Sequence, residues 1–468
     1  MPPIGTEFCY VRDTAEEETR MRSGPAPVMD ALVEFVLGLE AASLPPAVEE
    51  AASRSLTDWL GTALRGSAEP LAEAIAKVLR VTGGEPQATV VGRGVRTSAL
   101  MAALANGAQS HALDFDDTHL PSLVHGSAPV APVVLALGEW LHAPGAAALA
   151  AFVAGFEVET RIGRVIGRAL ADRGWHVTGV LGHFGAAAAA GKLLGLDAPR
   201  LAQALGIAAT QAAGLEQSFG TMSKPLHPGK AALDGLLAAL LAREGFTGST
   251  AVLDGPGGLA ATFLGVTDLR AAVEDLGKRF EILDNSTKPY AACHLTHATI
   301  DAARGLRARA APAAAAVEQV RCRVHPLVLK VANHPAPRTG LEAKFSVAYC
   351  AALALVHGEA GEEEFAEVRL ADPAVARVMA RVTAEADPAL GVGAARMTVR
   401  LAGGGVLEAS VAAARGTAEN PLTREELEAK FRRLATVVLP EDRVARLAER
   451  LRRLADLPDV ADLAALAR

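Results

Sequence analysis

Apolar residues recur at three- and four-residue spacing over about residues 28–270, which predicts a long series of helices. Gly and Pro separate the apolar runs, with no sign of alternating strands. The segment AALDGLLAALLAREGF at 231–246 is apolar nearly all round, as expected of a helix buried inside a large bundle. Residues 1–27 mix charge with Gly and Pro and lack periodicity, so we interpret them as a mobile N-terminal extension.

The pattern changes after about residue 284, where we predict a compact α+β unit. The segment VEQVRCRV alternates apolar and charged residues, as a half-buried strand does. The predicted elements are a strand at 317–324, helices at 340–358 and 373–386, a strand at 365–371, and two strands within 397–416 around the turn at Gly403–Gly405.

The chain returns to helix at about residue 422, where Thr423 and Glu426 form a possible capping box. We therefore predict a mainly α protein with two domains. Residues 28–283 and 421–468 would form a large all-α helical domain, and residues 284–420 a smaller α+β lid domain inserted into it. A cleft between the two is the expected place for a small-molecule site.

Composition narrows the function classes. The chain has 468 residues, with 46 Lys and Arg against 53 Asp and Glu, and this net charge of −7 argues against nucleic acid as a partner. A hydrophobic fraction of 50% with 21% charged residues excludes general disorder. Because no apolar run is long enough to cross a membrane and no signal-peptide pattern is evident, we expect a cytoplasmic protein. The four cysteines are too scattered for a disulfide framework or a zinc site.

Eight of the twelve histidines fall in four short segments that also carry other polar side chains. The first, HALDFDDTHLPSLVHGSAP, contains Asp114, Thr118 and His125. If a helix runs through it, Asp114 and Thr118 share one face. Unless a cation or metal lies nearby, like charges as close as Asp114, Asp116 and Asp117 raise at least one carboxyl pKa, which suits acid–base chemistry. The alternative is a helix that simply ends in a polar loop.

The second and third segments place polar groups beside buried helices. His176 precedes an Ala-rich helix whose positive end would favour a neutral ring and attract anions, although it could be only a cap. Lys224 and His227 are predicted to lie in a loop made rigid by Pro and Gly, with a solvated lysine as the alternative.

The fourth segment, DNSTKPYAACHLTH, carries Lys288, Tyr290, Cys293 and His294. Tyr290 could be only a packed ring, and Cys293 is better explained as a packed residue than as a nucleophile. Together the four segments supply ammonium groups, imidazoles and one acidic cluster. This set suits a small substrate with several carboxylates.

At these segments the sequence resembles the MmgE/PrpD family, which includes 2-methylcitrate dehydratase, cis-aconitate decarboxylase and iminodisuccinate epimerase. The resemblance covers about residues 28–460 and rests on DFDDTH, GWH, SKPLHPGKAA, KPYAACHLTH and GLEAKFSVAYCAA in the expected order. It implies a helical domain with a smaller lid, a homodimer, and catalysis without a metal or organic cofactor.

The resemblance also implies a set of site residues. The catalytic set is Asp114, Thr118, His125, His176, Lys224 and Lys288. The expected substrate-binding residues are His227, Tyr290 and His294. Three features depart from the family pattern. His183 replaces a smaller or hydroxyl residue, and the loop between Thr118 and His125 is longer. The decarboxylases' lid tyrosine has no good equivalent, because Tyr349 lies in an apolar helix and is a poor substitute.

Our sequence-based hypothesis is a lyase that abstracts a proton next to a carboxylate and dehydrates a 2-methylcitrate-like or citrate-like hydroxy acid. Lys224 and Lys288 would bind carboxylate, His176 or Asp114 would be the general base, and His125 the acid. Epimerisation of an iminodisuccinate-like acid and cis-aconitate-type decarboxylation are the alternatives within the family. Outside it, DFDD could belong to an isoprenoid synthase, or the chain could be a non-catalytic scaffold. The expected partners are a small di- or tricarboxylate and a second copy of the chain.

Overall fold

A computed structural model describes residues 28–468, so the predicted N-terminal extension lies outside the described residues. The structure is 59% helical and 10% strand, which confirms the mainly α prediction. In chain order its helices are α1 (Val28–Gly38), α2 (Pro46–Gly66), α3 (Pro70–Thr82), α4 (Ala99–His111), α5 (Ser127–Leu141), α6 (Gly145–Asp172), α7 (Val177–Leu193), α8 (Ala198–Ala209), α9 (Ser223–Arg243), α10 (Leu259–Leu264), α11 (His297–Ala310), α12 (Pro326–Val331), α13 (Gly340–Ala343), α14 (Val347–His357), α15 (Glu367–Leu370), α16 (Pro373–Met379), α17 (Arg424–Ala435), α18 (Glu441–Arg452) and α19 (Ala461–Ala467).

The strands form three small sheets. They are β1 (Ala88–Val90), β2 (Val95–Thr97), β3 (Thr118–His119), β4 (Asn285–Ser286), β5 (Val317–Val324), β6 (Val382–Ala386), β7 (Ala395–Leu401) and β8 (Val406–Val411). β1 and β2 form an antiparallel hairpin that the sequence analysis missed. β3 and β4 pair antiparallel and so join the first and fourth histidine segments.

The four-stranded sheet has the order β6-β5-β7-β8. β5 pairs parallel with β6 and antiparallel with β7, and β7 pairs antiparallel with β8. The strand at Val317–Val324 and the two strands around the glycine turn confirm the predictions for those segments.

The predicted helix at 340–358 is divided into α13 and α14, because the chain leaves the helical conformation at Lys344–Ser346. Two further expectations within this unit are wrong. Residues 365–371 form a short 3₁₀ turn and helix α15, because Phe365 enters the core while Val368 is exposed. Residues 373–386 are not one helix: α16 ends at Met379, and β6 then pairs with β5. Both errors arise because short apolar runs do not distinguish strand from helix without their tertiary partners.

Two extensive hydrophobic cores lie in the described chain, beside two small clusters of three buried residues each. The larger takes residues from the helices between α1 and the 3₁₀ turn at Glu281–Asp284, and from α17 to α19. The smaller is built mainly from residues 290–414 and also contains Leu113 and Phe115 from the turn that follows α4. The boundaries of the predicted domains stay a prediction. Within residues 28–468, no helix combines the length and apolar character needed to cross a membrane.

The central helices of the larger core cross at very short distances. A Cβ atom placed on Gly107 of α4 would lie 2.8 Å from Cα of Gly229 on α9. Small residues therefore allow α9, which carries Lys224, to lie directly against α4, which leads into the DFDDT turn.

Candidate active site

The first histidine segment forms a sharp turn after α4. The helix ends at His111, and Asp114 has a φ of 52°, in the left-handed region. The prediction that one helix face carries Asp114 and Thr118 is therefore wrong. Thr118 begins β3 instead, and its hydroxyl lies 3.4 Å from Nδ1 of His125.

Three buried lysines hold this turn in place, and we call Lys288, Lys344 and Lys430 the lysine cradle. Nζ of Lys344 donates to the carbonyl of Leu113, Nζ of Lys288 to the carbonyl of Asp114 at 2.8 Å, and Nζ of Lys430 to the carbonyl of Phe115 at 2.8 Å. Three consecutive carbonyls beyond the helix end thus each accept a charged hydrogen bond. The cradle fixes the unusual backbone at Asp114.

The side chain of Asp114 joins two ammonium groups. Its Oδ1 accepts from Nζ of Lys224 and from Nζ of Lys288, each at 2.9 Å. Burial alone would raise the pKa of Asp114, but the two lysines hold it well below its ordinary value. Oδ2 of Asp114 is buried and has no hydrogen-bond partner among residues 28–468. The result is an ionised carboxylate with one free oxygen.

Three imidazole rings meet beside this carboxylate, and we call His111, His125 and His176 the histidine cluster. The ring centroid of His111 lies 4.5 Å from that of His125 and 5.7 Å from that of His176. Burial lowers the pKa of each ring, for His111 to about 3, so all three are neutral near pH 7.

The second and third segments meet through two histidines. His176 is the N-cap residue of α7, as predicted, and its Nδ1 lies 2.9 Å from Nδ1 of His227. Lys224 and His227, however, are not in a loop, because α9 already begins at Ser223. Pro225 is compatible with this start because the first-turn N–H groups have no partner within the helix.

A cleft opens over Asp114 and the rings of His125 and His176. The described residues that line it are Asp114, Thr118, Leu120, Leu123, His125, Ala171, Trp175, His176, Val177, Glu216, Phe219, Lys224, Cys293, His294, Leu295, Leu327, Val331 and Phe345. Nζ of Lys224 lies over the rings of Phe219 and Phe345, at 5.3 and 5.1 Å from their centroids. The structure thus brings five of the six predicted catalytic residues to one cavity wall. The sixth, Lys288, is fully buried behind Asp114.

Of the expected substrate-binding residues, His294 lines the cleft and both of its ring nitrogens lack a partner. His227 reaches the cleft only through His176. Tyr290 is not brought to the cleft: its hydroxyl hydrogen-bonds to Asp301 and Arg304 on α11. The packed-ring alternative describes Tyr290 better, because these two partners turn it toward another surface.

The pKa values of the three carboxyl groups in the turn are shifted in different directions, and burial is the main cause of the one that is raised. Burial raises the pKa of Asp117 to about 7, although Ser127 and Asn285 donate to it. Asp116 is also buried, but electrostatic interaction with His111 and His125, together with the hydrogen bonds that they donate, holds its pKa well below the ordinary value. The expectation that at least one carboxyl pKa is raised is confirmed by Asp117.

Sequence reasoning missed several parts of the site. His111 was noted only as one of the clustered histidines, yet its Nδ1 lies 2.8 Å from the Asp116 carboxylate, and its spacing of five residues from Asp116 was a usable signal. Lys344 and the aromatic rings of Phe219 and Phe345 gave no signal, since their roles depend on long-range packing.

The departures from the family pattern also have structural outcomes. Nε2 of His183 lies 3.1 Å from Oδ2 of Asp234, so this ring belongs to a buried pair on α7 and α9. The hydroxyl of Tyr349 donates to the carbonyl of Glu364 at 3.1 Å. Among the described residues that line the cleft there is no tyrosine.

Several groups of side chains in the described chain have the composition of a metal site. One is the histidine cluster, and a second, overlapping group consists of His111, Asp114, Asp116 and His125. Imidazole and carboxylate groups suit divalent transition metals.

Comparison with known proteins places this site in a family. The MmgE/PrpD N-terminal domain matches residues 30–272, and the MmgE/PrpD C-terminal domain matches residues 290–456. The chain is 30% identical to a cis-aconitate decarboxylase-like protein of Aspergillus oryzae over 446 residues, which covers 89% of this chain and 92% of that protein. It is 30% identical to the human cis-aconitate decarboxylase, covering 90% of each chain, and 29% identical to the cis-aconitate decarboxylase of Aspergillus terreus, covering 87% and 89%. These relatives are enzymes, and the chain belongs to the MmgE/PrpD family.

Proposed function

We propose that this protein is a lyase that removes carbon dioxide from a small tricarboxylate of the cis-aconitate type. The observation that carries the proposal is the Asp114 carboxylate bound to two lysines beside three neutral imidazoles in a buried cleft. Similarity to cis-aconitate decarboxylases along about nine-tenths of the chain makes decarboxylation preferable to the dehydration that the sequence favoured.

The electrostatics of the cleft suit an anionic transition state. In decarboxylation the bond between carbon and one carboxylate breaks, and its electron pair moves toward a remaining carboxylate. The ammonium group of Lys224 lies in the cleft wall, where it can meet that charge. Removing one such preplaced donor commonly costs about 10²–10³ in rate. Lys288 acts through Asp114, because it is buried behind that residue.

Asp114 is a poor candidate for the general base, because a carboxylate whose pKa lies well below the ordinary value holds protons weakly. We assign it instead to holding Lys224 and Lys288. Decarboxylation removes no proton from the substrate, so His176, which lines the cleft, would act as a base only in the dehydration reaction. A bound tricarboxylate brings negative charge that raises the pKa of the nearby rings, so His125 can deliver the proton that carbon needs after carbon dioxide leaves.

Dehydration of a citrate-like hydroxy acid is the second candidate. The observation that favours it is the hydroxyl of Tyr349, which donates to Glu364 and is not among the groups lining the cleft. The resemblance assigns a lid tyrosine to the decarboxylases. A cleft without that tyrosine would impair decarboxylation more than it would impair the dehydration reaction, in which a β-hydroxyl group leaves.

We also propose that residues 284–420 act as a lid and that the active form is a cytoplasmic homodimer. The support for the lid is the origin of the cleft walls: Leu327, Val331 and Phe345 come from this unit, and Trp175 and Val177 from the helical part. Movement between the two would open the cleft to substrate.

Incubation of the full chain in D₂O with cis-aconitate, citrate, 2-methylcitrate and iminodisuccinate, followed by NMR, tests the proposal. We expect loss of carbon dioxide from cis-aconitate with deuterium in the product. Lys224→Ala and His176→Ala should each lower the rate by about 10²–10³. His142→Ala, a change on the exposed surface, is the control and should leave it unchanged.

Water loss from a hydroxy acid without carbon dioxide release would select the second candidate. Deuterium exchange without net conversion of iminodisuccinate would indicate an epimerase. If none of the four acids exchanges or reacts, the proposed function is wrong.

A further inference from the structure

The histidine cluster contains a ring for which the proposed reaction has no use. His111 ends α4, His125 precedes α5, and His176 caps α7, so three separate parts of the chain bring their imidazoles together. One nitrogen from each of the three rings lies within 4.8 Å of one from each of the others. Three convergent imidazoles with an open fourth position are the usual protein ligands of a solvent-accessible zinc ion.

Hydrogen bonds on the opposite side of each ring fix its orientation. Nδ1 of His125 lies 2.8 Å from the carbonyl of Asp117, and since a carbonyl only accepts, this nitrogen carries the hydrogen. Nδ1 of His111 is held in the same way by the Asp116 carboxylate. Nδ1 of His176 lies 2.9 Å from Nδ1 of His227, and in the tautomer in which His176 is the donor its Nε2 is free to bind a metal. Metal-binding histidines almost always donate their second N–H to such a partner.

The nitrogens on the other side are left without partners. Nε2 of His111 and Nε2 of His176 are both buried and make no hydrogen bond to any described residue. A buried polar atom without a partner is unfavourable, and a bound ligand would relieve this cost.

Two ammonium groups oppose a cation here, and two carboxylates offset them. Lys224 and Lys288 both contact Asp114, and the carboxylates of Asp114 and Asp116 lie within 4.8 Å of ring nitrogens of His111 and His125. The four charges sum to zero, so the local field does not exclude a divalent ion.

We propose that His111, His125 and His176 bind a divalent transition-metal ion such as Zn²⁺ or Co²⁺, with the fourth position open to the cleft, and that the ion inhibits the enzyme. Occupied lone pairs on His125 and His176 are no longer available for proton transfer. The inhibition rests on the proposed function, whereas the metal binding does not.

The binding is tested by titrating the full chain, freed of metal with a chelator, with Co²⁺ and recording its visible absorption. We expect one equivalent to give the intense bands of a four-coordinate cobalt site, and Zn²⁺ to displace it. His111→Gln should weaken Co²⁺ binding at least ~10-fold, and Asp116→Asn, which changes a partner of both His111 and His125, should weaken it by a similar factor. His142→Gln removes an exposed imidazole and is the matched control.

The second readout is turnover. Zn²⁺ should slow the wild-type enzyme in competition with the acid substrate, and His111→Gln should shift the inhibiting concentration upward at least ~10-fold. Far-ultraviolet circular dichroism tests whether the variants are folded. If His111→Gln does not fold, His176→Gln replaces it in the cobalt titration. Wild-type chain without the cobalt bands, or bands that the ligand variants leave unchanged, would overturn the inference. Cobalt binding without turnover of any acid would leave the metal site standing and reject the proposed function.

Discussion

At the scale of single residues, the helical core contains a carboxyl group that no neighbour satisfies. Glu159 on α6 is fully buried, and neither of its side-chain oxygens has a hydrogen-bond partner in the described chain. Burial, and to a smaller extent the nearby Asp117, raises the pKa of Glu159 well above its ordinary value. The group is therefore protonated in the folded protein over a pH range where it is ionised in the unfolded chain.

This difference sets the sign of a pH effect. Above the unfolded pKa the folded state binds more protons than the unfolded state, so stability falls as pH rises toward the folded pKa. We expect Glu159→Gln, which resembles the protonated acid, to remove this dependence, worth about 1.4 kcal/mol per pH unit. Urea unfolding at pH 5, 6, 7 and 8 measures it. Glu449→Gln on the exposed face of α18 is the control, and a Glu159→Gln curve parallel to wild type would contradict the prediction.

Residue patterns in the sequence predicted the chemistry of the site better than its geometry. Asp114, His125, His176 and Lys224 were all identified from their segments, and the structure brings them to one cleft. The sequence could not predict that the chain reverses at Asp114, because that backbone depends on lysines more than 170 residues away in sequence. For the same reason Lys344 gave no signal.

At the scale of elements, local signals succeeded where a few neighbouring residues determine the structure. The capping box at the start of α17 is present: Oγ1 of Thr423 accepts from the amide of Glu426, and the Glu426 carboxylate accepts from the amide of Thr423 at 2.6 Å. The sequence analysis did not predict strand β6, because β6 is stabilised by pairing with β5, which lies about 60 residues earlier in the chain.

We expect Thr423→Ala to lower the free energy of unfolding by about 1 kcal/mol, since two backbone amides lose their partners. Thr436→Ala, at the other end of α17, removes a hydroxyl that only supplements a helical carbonyl and should change stability by less than about 0.5 kcal/mol. Equal effects of the two substitutions in urea unfolding would show that the cap contributes nothing.

The crossing of α4 and α9 offers a second test. Gly107→Ala places a methyl group 2.8 Å from Cα of Gly229, so we expect a loss of about 1–3 kcal/mol as the helices separate. Turnover should fall as well, because α9 carries Lys224. Gly305→Ala is the matched control: it lies on the exposed face of α11 with nothing within 4 Å, and it should stabilise by about 0.5–1 kcal/mol. Thermal unfolding and kcat of both variants measure these effects. If Gly107→Ala is as stable and as active as Gly305→Ala, the close crossing of α4 and α9 does not matter.

At the scale of the whole molecule, the site depends on contacts between distant parts of the chain. Lys430 on α17 bonds to Asp58 on α2 at 2.6 Å and to the carbonyl of Phe115, and both charged groups are buried. Burial raises the pKa of Asp58 and lowers that of Lys430. The pair connects helix α17 to helix α2 and to the turn that carries Asp114.

Removing one partner should cost more than removing both. Lys430→Met leaves a buried carboxylate alone, and we expect a loss of about 3–5 kcal/mol. The double variant Lys430→Met/Asp58→Leu replaces the pair by apolar groups and should recover at least half of that loss. Urea unfolding of the single and double variants measures the difference, and a double variant no more stable than Lys430→Met would argue against a buried ion pair.

The lysine cradle has a consequence for biosynthesis. Its members lie at positions 288, 344 and 430, so they leave the ribosome long after the turn at Asp114 that they support. A nascent chain translated only to residue 420 has its histidines but lacks the ammonium group that holds the Phe115 carbonyl. The active site is therefore complete only late in translation. A proteolytic cut that releases α17 should abolish activity although most of the helices remain folded.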